Sequence, residues 1–468
     1  MGESSAQKKS MGEVNLTRGN MFKNLIGFSL PYLLSSFLQT FYGLADLFIS
    51  GQFNGADTIT AVSVGSQITH MLTVVIAGLA MGTTVAIGRA VGAEKKDKIA
   101  EVLGNTLVMF ALFAVVLTGL LVFLSESIVS AVSTPAEAVS QTKEYLLVCF
   151  MGVPFIVAYN VISSIFRGLG DSRTPMYFVA AAGVLNIILD YILIGFMHMG
   201  ARGAAIATVT AQGCSVALAF WVMTRGRMRV KLSPGNLRLK KETLGAVLKV
   251  GLPIACQDGF IQISFLVITA IANRRGVVVA AAVGIVEKLI SFFFLVPSAM
   301  LSSVSAITAQ NAGAGKHENG RSILRYGIAI SVGFGLTVAL VCQFCSGFLV
   351  GLFAKEETEV IRLGAQYLRS YIFDCAAAGV HFCFSGYFCA YGRAGLSFVH
   401  NVLSVLLIRI PGAYLASLWF PDTLYPMGWA PPAGSLLSAV ICAVFFVVIR
   451  RRNGFGEYQG KKIRSKSK

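Results

Sequence analysis

Residues 186–195 read NIILDYILIG. An asparagine and an aspartate stand four residues apart in a run that is otherwise hydrocarbon. In a water-soluble protein, Asp190 would need only a partner beside it. At the centre of a bilayer a charged side chain costs about 2.5–3.5 kcal/mol on insertion scales, and residues kept at that cost usually serve function. Whether residues 175–197 span a membrane therefore decides both the fold and the task of Asp190.

The surrounding composition answers for a membrane. Of 468 residues, 55% are hydrophobic and 13% charged, and the mean hydropathy is +0.71. An ordinary soluble domain is about 25% charged. Residues 1–20 are polar and lead into an apolar run without a small-residue cleavage pattern, so no cleavable secretory signal is expected. Residues 1–22 read as a flexible tail.

A helical span needs about 20 mostly apolar residues. Twelve such segments lie near 23–50, 57–87, 100–124, 138–166, 175–197, 202–224, 243–273, 277–308, 321–346, 357–391, 395–420 and 429–451. The expected fold is an all-α integral membrane protein of twelve transmembrane helices. An even number places both termini on one side, and the basic residues assign that side to the cytoplasm. Thirty of the 39 Lys and Arg fall in the tails and loops there. Seven fall on the other side, and Lys288 and Arg409 lie inside spans. The net charge of +17 is then mostly a topology signal. The basic runs RGRMRVK (225–231) and KKIRSK (461–466) are not nucleic-acid patches on this reading; the expected partners are the bilayer and small molecules.

The two halves repeat. GFSLP of the first span matches KVGLP of the seventh, placing Pro31 222 residues before Pro253. AVSVGSQI at 61 resembles AAAVGIVEK at 280. RAVGAEKK at 89 resembles QNAGAGKH at 310, aligning Gly92 with Gly313, and Gly170 aligns with Gly392. Six spans per half bring both halves in from the same side, which makes a parallel repeat about an axis along the membrane normal. The expected organisation is a tail (1–22), a first lobe (23–224), a linker (225–242), a second lobe (243–452) and a basic tail (453–468). A cavity between two bundles suits alternating access.

The ordered set ADLFISGQFNGADTITAVSVG (45–65), RAVGAEKK, FRGLGDSRTP (166–175), NIILDYILIGFMHMGARGAAIATVTAQ (186–212) and RIP (409–411) resembles the multidrug and toxin extrusion (MATE) family over residues 23 to 452. The resemblance implies two six-helix lobes and export of organic cations driven by sodium or proton entry. It also implies a plasma-membrane location.

Two acidic residues lie deep in first-lobe spans, Asp46 and Asp190. Their repeat equivalents are Ile268 and Gly412, so the acids are not architectural features of the repeat. Asn186 and Asp190 share a helix face. Thr208 on span six and Asn160 on span four add further oxygens. Carboxylate, amide and hydroxyl oxygens suit hard cations, and two close carboxylates can instead share one proton. One branch of the family has a first-lobe cation site of these residue types, and the resemblance maps it onto Asp46, Asn160, Asn186, Asp190 and Thr208. That set is the expected site for sodium or a proton; no other cofactor is expected.

The second lobe offers Asp258, Asp374, His381 and Phe384 as possible substrate contacts. Glu287 and Lys288 are adjacent and do not share a helix face. Structural pairing is expected for both Lys288 and Arg409, with snorkelling in the cytoplasmic half the other reading of Arg409. His70, His381 and His400 read as helix-interface histidines. Nine scattered cysteines, including the Cys342/Cys345 pair, lack accompanying ligands and read as buried thiols. Pro31, Pro154, Pro253 and Pro297 lie inside spans and invite kinks.

The leading expectation is a secondary-active multidrug antiporter, acting as a monomer. The alternatives are a lipid-linked oligosaccharide flippase of the same wider superfamily and a non-transporting membrane protein. A flippase would want cations in its cavity, where only Lys288, Arg409 and Arg369 offer themselves. A non-transporting protein leaves Asp46 and Asp190 without a task. No G-x-x-x-x-G-K-[ST] is present, which argues against a pump with its own ATPase domain, and no enzyme activity is expected.

Overall fold

Hydrocarbon offers no hydrogen bonds, so a lipid-facing segment must satisfy its own backbone, and long apolar runs become helices. The computed structural model describes residues 14–132, 135–224, 234–354 and 357–452. Both basic runs and most of both tails lie outside the described residues.

The first half contains α1 (Met21–Phe53), α2 (Ala56–Gly92), α3 (Lys96–Phe123), a short α4 (Ser125–Ala131), α5 (Val139–Met151), α6 (Val153–Gly168), α7 (Arg173–Asp190) and α8 (Gly200–Val222). The second half contains α9 (Lys241–Asn273), α10 (Val277–Phe293), α11 (Leu295–Gly313), α12 (His317–Ala354), α13 (Thr358–Tyr371), α14 (Asp374–Ala390), α15 (Gly395–Ser404), α16 (Ile410–Trp419) and α17 (Ala430–Arg452). Among the described residues there is no strand, and eleven stretches are long and apolar enough to span a bilayer. A twelfth span is the α5–α6 pair, bent by 47° at Gly152. Twelve spans match the expectation.

The four prolines divide into two kinds. Pro154 and Pro297 fall in the first turns of α6 and α11. A missing N–H is harmless there, so these prolines mark the breaks within spans four and eight. Pro31 and Pro253 sit inside α1 and α9, which continue through them. A π-helical turn, Tyr191–Phe196, follows Asp190, with Met197 N–H donating to the Ile192 carbonyl at 2.9 Å. The equivalent span of the second half has its own at Val405–Arg409. Such turns are frequent at functional sites.

Each half builds its own core. Leu103, Phe110, Tyr145, Phe150 and Ile165 belong to the first; Ile268, Val283, Ile290, Tyr367 and Tyr371 belong to the second. The leading helix of each half crosses over. Met21, Leu25 and Phe28 of α1 pack with Val304, Ile307 and Ile323 of the second lobe, while Ile49 enters the first-lobe core. Val250 and Ile254 of α9 pack against Val85 of α2, while Ile268 joins the second-lobe core.

Between lobes the backbones touch. A Cβ on Gly92 would stand 1.8 Å from the Gln310 carbonyl oxygen, and one on Gly313 would stand 2.1 Å from that of Arg89. Arg89 and Gln310 are repeat equivalents, as are Gly92 and Gly313. The contact is therefore self-complementary about a pseudo-twofold axis, and only glycine permits it. Large apolar side chains such as Val115, Phe123, Phe344 and Phe348 are exposed on the outer surface, as lipid-facing positions should be.

Candidate functional site: a buried carboxylate pair in the first lobe

Three helices bring the first-lobe acids together. Asp46 lies late on α1, Asp190 ends α7, and Thr208 lies mid-way on α8. Asp46 is 3% exposed and Asp190 fully buried. The two carboxyls are electrostatic neighbours, with no hydrogen bond joining them. Thr208 Oγ1 lies 3.1 Å from Asp46 Oδ2 and 3.0 Å from its own helix's Ala204 carbonyl. Its single hydrogen serves one of them at a time. Asn186, one turn before Asp190, approaches Thr208 Oγ1 with Nδ2 at 3.5 Å.

The donor count falls short. One hydroxyl and one amide face four carboxylate oxygens and an amide oxygen. Asp46 Oδ1, Asn186 Oδ1 and both Asp190 oxygens are buried with no donor. A buried acceptor left unpaired costs about 1–3 kcal/mol. Among the described residues no basic side chain pairs with either aspartate. An all-oxygen, donor-poor cluster is matched chemically by a proton or a hard cation.

Asn160 stands apart from this group. It lies on α6 and donates from Nδ2 to the Ile156 carbonyl at 2.9 Å, with no hydrogen bond to the other four. Sequence reasoning missed Tyr42 and Gln212, which extend the polar seam. Gln212 donates to the Tyr42 hydroxyl at 3.4 Å. Tyr42 precedes Asp46 by one turn and Gln212 follows Thr208 by one turn, a helical spacing that was open to view.

The second-lobe residues do not converge. Asp374 opens α14 at the break after α13 and is fully buried. Its Oδ2 forms an ion pair with Arg409 Nη2 at 3.8 Å, too long for a hydrogen bond, and that Nη2 donates to the Tyr371 hydroxyl at 2.6 Å. The Arg409 guanidinium lies 5.1 Å above the Phe265 ring. Arg409 is only 7% exposed. Arg409 is thus structurally paired, as expected, and does not snorkel: a carboxylate, a phenol and an aromatic face supply inside the lobe what the interface would otherwise supply. Glu287 accepts from Thr269 Oγ1 at 3.0 Å, while Lys288 is exposed on another face of α10.

Asp258 of α9 faces Gly78 of α2 across the lobe boundary; a Cβ there would stand 2.7 Å from its carboxylate. His381 packs its ring at 4.9 Å from Phe382 and 5.4 Å from His400. Phe384 lies tilted against Phe388 and edge-on to Phe446 inside the second lobe. Asp374 and Phe384 are ten residues apart on α14, or about 15 Å along the helix.

The MatE family model matches residues 31–192 and again 253–415, one stretch in each half. The chain is 30% identical over 418 residues to the probable multidrug resistance protein YpnP of Bacillus subtilis, covering 87% of this chain and 91% of that one. It is 24% identical over 441 residues to the multidrug export protein MepA of Staphylococcus aureus, covering 92% and 95% of the two chains. Its fold is similar to that of a multidrug resistance MATE family transporter of the MOP superfamily solved in an outward-facing conformation. The TM-score is 0.86 at 23% identity, over 94% of this chain and 98% of that one. Two matched halves, twelve spans and a parallel repeat make this chain a member of the multidrug and toxin extrusion family, a membrane-embedded transporter.

Proposed function

We propose that the protein is a secondary-active antiporter that exports small, amphipathic organic cations in exchange for sodium ions or protons. The observation that carries this reading is the set of four donorless, buried oxygens on Asp46, Asn186 and Asp190. Thr208 completes the coordination, and Asn160 of α6 would join it only if its side chain leaves the Ile156 carbonyl. The ion is cargo that passes through the site; the protein's own residues supply oxygens, exclude water and hold the ion until the helices rearrange. On this reading residues 23–224 form the ion-binding lobe and 243–452 its partner. Both termini face the cytoplasm of a plasma-membrane protein that works as a monomer.

A ligand shifts an equilibrium only through its differential affinity for the two states. Ion binding must therefore favour one arrangement of α1, α7 and α8, and drug the other. The multidrug names of the relatives support the substrate class, and Asp258, beside the lobe boundary, is the second-lobe acid best placed to meet a cation. Purified protein in vesicles, loaded with a fluorescent dye cation, tests the reading. Dye should move when a sodium or pH gradient is imposed and should stay when both gradients are collapsed. Movement unaffected by either gradient overturns coupling.

A further inference from the structure

A separate set of lobe-to-lobe hydrogen bonds lies at the face where α1 begins and α2 ends. Arg89, near the end of α2, donates from Nε to the carbonyl of Ala390, the last residue of α14, at 2.7 Å. Gln310, at the equivalent place on α11, donates from Nε2 to the carbonyl of Gly168, the last residue of α6, at 3.2 Å. Arg89 and Gln310 are 221 residues apart, and Gly168 and Ala390 are 222. Each bond thus crosses between lobes, each is the repeat image of the other, and each caps a helix C-terminus whose last carbonyls lack partners.

Residues 14–17 break this symmetry. The Leu16 N–H donates to Gln310 Oε1 at 3.1 Å, and Asn311 Nδ2 donates to the Leu16 carbonyl at 3.2 Å. Lys316 Nζ donates to the Thr17 carbonyl at 2.9 Å. On the other side, the Val14 N–H donates to the Leu169 carbonyl of the first lobe at 3.1 Å. The Leu16 side chain is 5% exposed and joins the α11–α12 core beside Val304 and Ile307. The segment therefore straps the two lobes together. Gln310 holds it with one end of its amide and holds α6 with the other.

While these bonds stand, α2 and α11 stay backbone to backbone at Gly92 and Gly313, and this face cannot open. We infer that residues 14–17, Arg89 and Gln310 form a latch that keeps this face of the transporter shut, with Gln310 as its keystone. The inference rests on the alternating-access reading above for its purpose but not for its test. The strap runs directly into α1, whose far end carries Asp46.

Hydrogen–deuterium exchange of the full chain in lipid nanodiscs, read by mass spectrometry with no drug and no gradient, measures the latch. In Gln310→Ala, amides of residues 14–17 and of the adjoining ends of α2 and α11 should exchange about tenfold faster, the scale of one or two lost hydrogen bonds. The opposite face, at the α1–α2 turn, should be unchanged. Gln310→Glu keeps the acceptor for Leu16 but loses the donor to Gly168, so it should loosen the end of α6 more than the strap. Unchanged exchange at 14–17 in Gln310→Ala, or an equal rise on both faces, overturns the latch. Should Gln310→Ala fail to fold, Arg89→Lys keeps the charge but loses the Nε donor. It should speed exchange at Gly392 and Arg393, and no change there overturns the latch equally. A chain that exports no dye yet shows these changes would sink the transport reading alone.

Discussion

In the first lobe, Asp46 and Asp190 meet beside Thr208 and Asn186 with no basic side chain paired to them. In the second, Asp374 is as deeply buried but has Arg409 at 3.8 Å, itself bonded to Tyr371 at 2.6 Å. Both lobes have the same helix order, and both carry a π-helical turn in their fifth span. The repeat therefore sets where helices lie and leaves open how buried charge is balanced. On the proposed function, the first lobe takes its cation from outside. The other carries its cation on the chain.

If Arg409 is that tethered cation, its loss should give the largest effect. Arg409→Met leaves Asp374 buried without compensation and should destabilise the folded protein by about 3–5 kcal/mol, the usual scale for breaking a buried pair. Thermal unfolding in detergent measures it, and adding Asp374→Asn to the same chain should recover most of the loss. Wild-type stability in Arg409→Met would erase the contrast between the lobes.

Asp190→Asn comes next. It keeps size, removes one carboxylate and spares insertion a penalty. Losing a charge-assisted ligand of about 1.5–3 kcal/mol should weaken ion binding about tenfold to a hundredfold, and coupled dye export should fall to background with membrane insertion intact. Wild-type gradient dependence in this variant would remove Asp190 from the site.

Thr208→Val has a smaller and more selective effect. It deletes a neutral oxygen that a sodium ion uses and a proton does not. Sodium-driven export should fall about fivefold, on the scale of about 1 kcal/mol per contact, with proton-driven export nearly unchanged. Equal loss in both assays would point to packing damage between α1 and α8.

Asp258→Asn should do least to the ion. Its carboxylate lies at the lobe boundary beside Gly78, not beside Asp46. Ion affinity should stay within about twofold, since sites without shared partners act independently, while export of cationic dye slows. Loss of ion binding here with both first-lobe acids intact would move the site to the second lobe.

Much of this was legible along the chain. Twelve apolar runs predicted twelve spans because lipid permits little else. The offset of 219–222 residues predicted the parallel repeat, and Gly92 and Gly313 proved to stand where the backbones of the two lobes touch. Asp46, Asn186, Asp190 and Thr208 were all identified as candidates, and the structure places them together. Arg89 and Gln310 stood in the aligned motifs RAVG and QNAG, yet nothing in those letters said that each would reach the opposite lobe. Asp374, His381 and Phe384 were each expected as possible substrate contacts, and their positions along one helix did not say what each would meet. Helical rise separates them, and each meets a different partner.

Periodicity, hydropathy and charge act locally, over the length of a span, and so the sequence by itself determined the membrane solvent, the helices, their number and their repeat. Which buried acid finds a base, and which is left with another acid, depends on residues such as Asp46 and Thr208, 162 positions apart. The tertiary structure alone decided that Asp374 would be neutralised by Arg409 and that Asp190 would not. The net energy of a buried charge is set by the few groups within about 4 Å of it, where the low dielectric makes each pairing large, and that distance is fixed only once helices from remote parts of the chain have packed.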